Sequence, residues 1–148
     1  MTYGYIQSNY ASIEGGGVYV NNYNDYFCMS GGTMSSNTAG SYGGAVSGKI
    51  KIQGNISIVP VEGGKERNND IYCDGVNSTR AVDFIGQDTD TSPSYPLYIT
   101  LGSSFNPTWP VVGSGDRQLY NYTNYKLTPG TAVASDYKIN NYGNLVPK

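Results

Sequence analysis

Residues 3–20 read YGYIQSNYASIEGGGVYV, and residues 31–48, placed 28 positions further on, read GGTMSSNTAGSYGGAVSG. Seven of the eighteen aligned positions are identical: Gly4/Gly32, Ser8/Ser36, Asn9/Asn37, Ala11/Ala39, Gly15/Gly43, Gly16/Gly44 and Val18/Val46. Each copy consists of short apolar phrases separated by Gly, Ser and Asn. Such a unit cannot bury its own apolar face, so it must stack on a neighbouring copy.

Working outward from this repeat, the phrases alternate apolar and polar residues for two or three positions and then stop at Gly, Asn or Ser. Strands are expected at 5–7, 18–20, 26–29, 33–35, 45–47, 50–52, 55–59 and 70–73. Strands this short, joined by glycine turns, suit a right-handed parallel β-helix in which each coil adds one rung to each of three sheets. The pairs Gly15/Gly16 and Gly43/Gly44 are expected to supply positive φ at the corners. Asn9 and Asn37 fall at matching positions and are expected to stack as an amide ladder. Ala11 and Ala39 fit a tight inward corner. A meander of hairpins with glycine-rich loops is the alternative, and the equal spacing disfavours it.

The pattern loosens at Pro60 and the charged loop EGGKERNND (62–70), and the period then breaks. From about residue 76, AVDFI, PLYITL, VVG, NYKL and DYKI read as strands of an antiparallel sheet, punctuated by Pro93, Pro96, Pro107, Pro110 and Pro129. Residues 137–146 read as a last hairpin. A solenoid end exposes an unpaired rung and needs covering. The expected architecture is therefore all-β: a parallel β-helix of about three coils over residues 1–75, then a β-rich capping region over 76–148. Trp109, between prolines, is expected to plug the solenoid end.

Composition bounds the chemistry. The 148 residues include 20 Gly and 15 Tyr, only 14% are charged, and the formal net charge is −2. That balance gives no electrostatic reason to expect nucleic acid or an anionic membrane as partner. No stretch approaches the ~20 apolar residues of a membrane-spanning helix. The opening MTYGYIQSNY has neither the basic start nor the apolar run of a secretory signal. A repeat that begins at once is expected of a stretch starting part-way into a longer protein. Alternation in FCMS and IYC places Cys28 outside and Cys73 inside, so no bond between them is expected.

No histidine is present, which removes the commonest general base. The close carboxylate pairs are Glu62/Glu66, Asp70/Asp74 and Asp88/Asp90. The last is a weak candidate for a hard cation such as Ca²⁺. Before residue 60 the repeats offer only Glu14 and Asp25, too few for the row of carboxylates that a polysaccharide lyase or hydrolase would align. The chain is read as non-catalytic, with no cofactor. Tyrosine is the informative surplus. Val18 and Val20 take the inward face, so Tyr19 points out. Tyr19, Tyr23 and Tyr42 are the candidate binding residues, able to stack on sugar rings or anchor a protein interface.

GGGVYV followed by FCMSGGTMSSNTAGSYGGAV (27–46) resembles the repeats of bacterial surface proteins with right-handed parallel β-helices, of the polymorphic-outer-membrane-protein-like or adhesin-like kind. Their phrase F-x-M-S-G-G-x-I-x-x-N-x-A corresponds here to Phe27, Met29, Ser30, Gly31, Gly32, Met34, Asn37 and Ala39, with Met34 where Ile is usual. NNDIYC (68–73) is similar to a final coil in that group, and 111–146 to the region that follows it. The resemblance implies a secreted, outer-membrane or cell-surface location. It implies a role in adhesion or display, with a host or envelope glycan or protein as partner, and carries over no catalytic residue. A structural stalk or self-assembling envelope component, meeting further coils or another copy at its N-terminal end, is the alternative. A polysaccharide lyase or hydrolase is the more distant one.

Overall fold

The computed structural model describes residues 1–22, 24–75, 81–84, 93–113 and 122–148. Strands β1 (Tyr5–Gln7), β2 (Tyr10–Ala11), β3 (Val18–Tyr19) and β4 (Phe27–Met29) make the first coil. The second coil repeats them as β5 (Thr33–Ser35), β6 (Thr38–Ala39), β7 (Val46–Ser47) and β8 (Ile50–Ile52). The third holds β9 (Ser57–Val59), β10 (Ile71–Cys73) and β11 (Val82–Phe84), and β12 (Leu97–Leu101) and β13 (Tyr125–Leu127) carry the stack onward. A short helix α1 (Ala132–Asp136) and a hairpin of β14 (Tyr137–Ile139) and β15 (Leu145–Pro147) complete the chain. The result is an all-β parallel solenoid of about four turns.

The strand pairings between the coils are parallel, and three of those between the first two coils keep the register of the repeat: Ile6 faces Met34, Ala11 faces Ala39 and Val18 faces Val46. Side chains alternate across each strand, so the inward residues form continuous columns. Val18, Val46, Ile71, Ile99 and Leu127 run down the five-stranded sheet β3–β7–β10–β12–β13. Ile6, Met34 and Ile58 line a second sheet, and Met29, Ile52 and Phe84 the third. Most of these are fully buried. Each buried aliphatic side chain stabilises the stack by about 1.5–3 kcal/mol relative to its exposed state.

Two expectations are corrected. Residues in AVDFI, PLYITL and NYKL do not build an antiparallel sheet. β11 pairs in parallel with β8, β12 with β10, and β13 with β12. Their alternating apolar residues extend the inward columns, which outweighs the proline punctuation around them. Val112 of VVG likewise bridges Val82 in parallel. The stack therefore passes residue 75 and reaches about four turns instead of three. Among the strands of the described residues, β14 and β15 alone pair antiparallel, as the last hairpin. The second correction concerns the corner glycines. Gly15 (φ +65°) and Gly43 (φ +63°) do take the left-handed conformation, but Gly16 and Gly44 do not. They are small because the next coil passes so close: a Cβ on Gly16 would lie 2.2 Å from the Thr38 carbonyl oxygen.

The C-terminal end is covered by packing. The Thr131 hydroxyl caps α1 by accepting from the Ala134 N–H at 3.3 Å. Lys148 Nζ bonds the Ala134 carbonyl. Val111 and Val112 both donate their N–H groups to the Gly143 carbonyl in the hairpin turn. Trp109 packs edge-on against Phe105, ring centroids 6.1 Å apart, and lies partly buried against the core.

Candidate functional site

The outward face of the five-stranded sheet gathers the polar and aromatic residues that the core excludes. Inward Val18 and Val20 leave Tyr19 outside, 56% exposed. In register below it come Ser47, then Tyr72, then Thr100. One corner earlier, Glu14 bridges Tyr42 in parallel. The Gly15 and Gly43 turns fold this corner back against the sheet, so that Glu14 Oε2 accepts from the Ser47 hydroxyl at 2.8 Å. The Tyr42 ring stacks on Tyr72 of the next coil, centroids 4.3 Å apart and 16° from parallel. Between these residues lies a cleft of about 250 Å³, lined by Glu14, Tyr19, Asn21, Asn22, Ser47, Lys49, Tyr72 and Asp74.

Burial pushes the Tyr72 phenol up to about 12, helped by Tyr42 and by the carboxylates of Asp74 and Glu14. Tyr72 thus stays a neutral hydroxyl, able to donate, at any physiological pH. Lys49 and Lys51 both hold their ammonium groups over the Tyr26 ring, 4.6 and 4.0 Å from its centroid.

Two buried polar devices tie the coils together. The first is the expected ladder. The Asn9 N–H and Nδ2 donate to Asn37 Oδ1 at 3.2 and 3.0 Å, and Asn37 Nδ2 donates to Asn69 Oδ1 at 3.0 Å. The second was not anticipated. Asp70, 1% exposed, accepts from the Gly44 N–H at 2.8 Å and from the Thr100 hydroxyl at 2.6 Å. Thr100 in turn lies 2.9 Å from Thr128 Oγ1. Having one proton, it donates to the carboxylate and accepts from Thr128.

Burial raises Asp70 above its ordinary value of 3.8, against the lowering effect of Thr100 and Gly44; Glu66 adds a smaller upward push. The folded chain then holds this proton more tightly than the unfolded one. Stability contributed by Asp70 is complete below the unfolded value and declines as pH rises through the folded one. Urea denaturation at a series of pH values should show this decline in the wild type. In Asp70→Asn, whose amide can still accept from Gly44 and can donate to Thr100, the decline should be absent. Equal pH slopes in the two proteins would refute the assignment.

Of the candidate residues, Tyr19 and Tyr42 fall on this one face, while Tyr23, Asp88 and Asp90 lie outside the described residues. Tyr72 is the member that sequence reading passed over, although the alternation in IYC, with Ile71 and Cys73 buried, already marks it as outward. Cys28 is exposed and Cys73 buried, and no disulfide joins them. Among the described residues, no group of three or more Cys, Asp or Glu is arranged to hold a metal ion, and no helix is long and apolar enough to cross a membrane. Compared with protein-family models, curated proteins and solved structures, the chain matches none.

Proposed function

We propose that this chain is a non-catalytic, cell-surface or secreted solenoid domain that acts by adhesion or surface display, as the bacterial surface repeats it resembles do. The observation that carries the reading is the tyrosine face itself. Tyr19 and Tyr72 stand on a sheet whose inner side is locked by a continuous aliphatic column, and Tyr42 stacks on Tyr72 from the adjoining corner, so all three are presented on a stiff support and need little ordering when a partner binds. The buried carboxylate of Asp70 is occupied in holding Gly44 and Thr100, which suits a structural role better than a catalytic one.

A stalk or self-assembling envelope component is the second reading. It is favoured by the first coil: β1 to β4 each have a neighbour on one side only, and Asn9 Oδ1 has no partner among the described residues. Attachment of the purified chain to immobilised glycans, matrix proteins and envelope fractions tests the first reading, with sedimentation velocity on the same sample for the second. Saturable attachment by a monomer supports adhesion. Association with itself and no attachment supports the stalk.

A further inference from the structure

Among the described residues, the five most exposed large apolar side chains all belong to the first coil: Tyr3, Tyr5, Tyr10, Ile13 and Tyr19, 56–89% exposed. At the equivalent positions 28 residues on, the second coil carries Gly31, Thr33, Thr38, Ser41 and Ser47. The pairings Tyr5–Thr33, Tyr10–Thr38 and Tyr19–Ser47 fix that equivalence in space. Inward positions show no such contrast, since Ile6, Ala11 and Val18 meet Met34, Ala39 and Val46. The two coils share a core and differ at the rim. The fold itself does not ask for the tyrosines, because the second coil is built without them.

The first coil is also open at its edge. Its inward Ile6, Ala11 and Val18 are half-buried, whereas Met34, Ala39 and Val46 below them are buried. The Gly4 carbonyl and the Ser8 N–H are bonded to the second coil. Alternation along β1 therefore turns the backbone N–H and C=O groups of Tyr5 and Gln7 to the open side. Val18 and Val20 likewise donate to the second coil, which leaves those of Tyr19 open. Met1 shows that this edge takes a partner: its ammonium donates to the Cys28 carbonyl, and its own carbonyl accepts from the Ser30 N–H. Proteins blunt such edges with lysine, proline or other charge. Residues 1–48 contain no Lys, Arg or Pro, and Glu14 is the only charged side chain before Asp25. Glu14 is itself engaged with Ser47.

We infer that the first coil is the interface for a second copy of this chain, joined head to head about a two-fold axis. This pairing rests on the self-assembly reading and names its partner and its residues. Turning one copy over reverses its strands, so the two open edges meet antiparallel and each satisfies the other. Aromatic side chains facing across an antiparallel pair attract one another. At 150–250 Å² for a whole aromatic side chain, the rim exposes roughly 700 Å². A stable interface needs ~800 Å² per partner, and the half-buried core residues supply the remainder. With almost no charge on the rim, like copies do not repel. A further coil shaped like the second would pair the edge yet leave the rings facing water, whereas an inverted copy sets tyrosine against tyrosine. The C-terminal end is covered by α1 and the hairpin, so the assembly closes at two.

The test is sedimentation velocity of the full chain over a series of concentrations. The wild type should pass from monomer to dimer and grow no further. Combining Tyr5→Thr, Tyr10→Thr, Ile13→Ser and Tyr19→Ser should raise the dimer dissociation constant by about 100-fold or more, the loss expected when a buried aromatic anchor is truncated in each copy. These are the residues that the second coil carries in register, so the variant retains the fold, which its urea unfolding as a monomer checks. Tyr95→Thr, at an exposed tyrosine outside the first coil, should leave the constant unchanged. In the wild type, amide hydrogen exchange at Tyr5 and Gln7 should slow as the dimer fills. Growth beyond a dimer, equal association of the fourfold variant, or unchanged exchange at both amides overturns the head-to-head rim and leaves self-assembly standing. A chain that stays monomeric at every concentration overturns both.

Discussion

Gly44→Ala should destabilise the fold by about 3 kcal/mol or more, the upper range for a forced fit in a packed interior. A Cβ at this position would lie 2.3 Å from the Asn69 backbone nitrogen and 2.5 Å from the Arg67 carbonyl oxygen. Both obstacles are main chain of the third coil, so no side chain can swing aside. The coils must move apart at the corner, and that movement also stretches the Gly44 N–H to Asp70 bond of 2.8 Å. The backbone conformation of Gly44 is not itself the difficulty. Gly63→Ala separates the two effects: Gly63 has φ +77° with nothing within 4 Å of the added carbon, so only conformational strain of about 1 kcal/mol is expected. Urea denaturation of both variants measures the gap. Equal losses would mean that the second and third coils are not in close contact at this corner.

The same corner shows how far a sequence can be read. Identity of Gly15/Gly43 and Gly16/Gly44 across 28 residues marks a corner, but identity does not say why glycine is needed. One member of each pair answers a torsional demand and the other a demand for space, and only the approach of the next coil distinguishes them. Strands such as 5–7, 33–35 and 50–52 were legible because two or three alternating residues between glycines leave no other packing. The later coils were not. Ile71 faces Ile99 and Leu97 faces Tyr125, again 28 residues on, yet no repeated text accompanies them. An inward column asks only for apolar bulk, and Val18, Val46, Ile71, Ile99 and Leu127 satisfy it with three residue types. In between, loops of unequal length shift the register. Phe27 faces Ile50 while Asn37 meets Asn69, so a fixed period cannot place the third coil. The partners of Tyr72 and Asp70 were out of reach for this reason: Tyr42, Gly44 and Thr100 are their neighbours only once the loops have been subtracted.

Asn69 was hidden by the same shift, and it completes the device on which the second large prediction rests. Asn37→Asp should destabilise the fold by about 3–5 kcal/mol, the range for leaving a buried polar or charged group unpaired. The substitution changes almost no volume, so packing is not at issue. Asn37 is fully buried; its Oδ1 accepts from Asn9, and its Nδ2 donates to the Ile6 carbonyl at 2.8 Å and to Asn69 Oδ1 at 3.0 Å. Aspartate keeps the acceptor and loses the donor, placing oxygen against two oxygens. The ladder has a direction, which sets the rank order of its members. Each amide donates upward to the carbonyl of the preceding coil, Asn37 to Ile6 and Asn69 to Met34. At the lower end Asn69 closes the series by also donating to the Val59 carbonyl at 2.7 Å. At the upper end Asn9 is exposed and donates only to Asn37. Asn9→Asp should therefore lose about 1 kcal/mol, one part-buried bond, and Asn69→Asp should match Asn37→Asp. Denaturation free energies for the three variants, with amide hydrogen exchange at residues 9, 37 and 69, measure the order. A uniform loss at all three positions would mean that the amides act one at a time and do not form a directed stack.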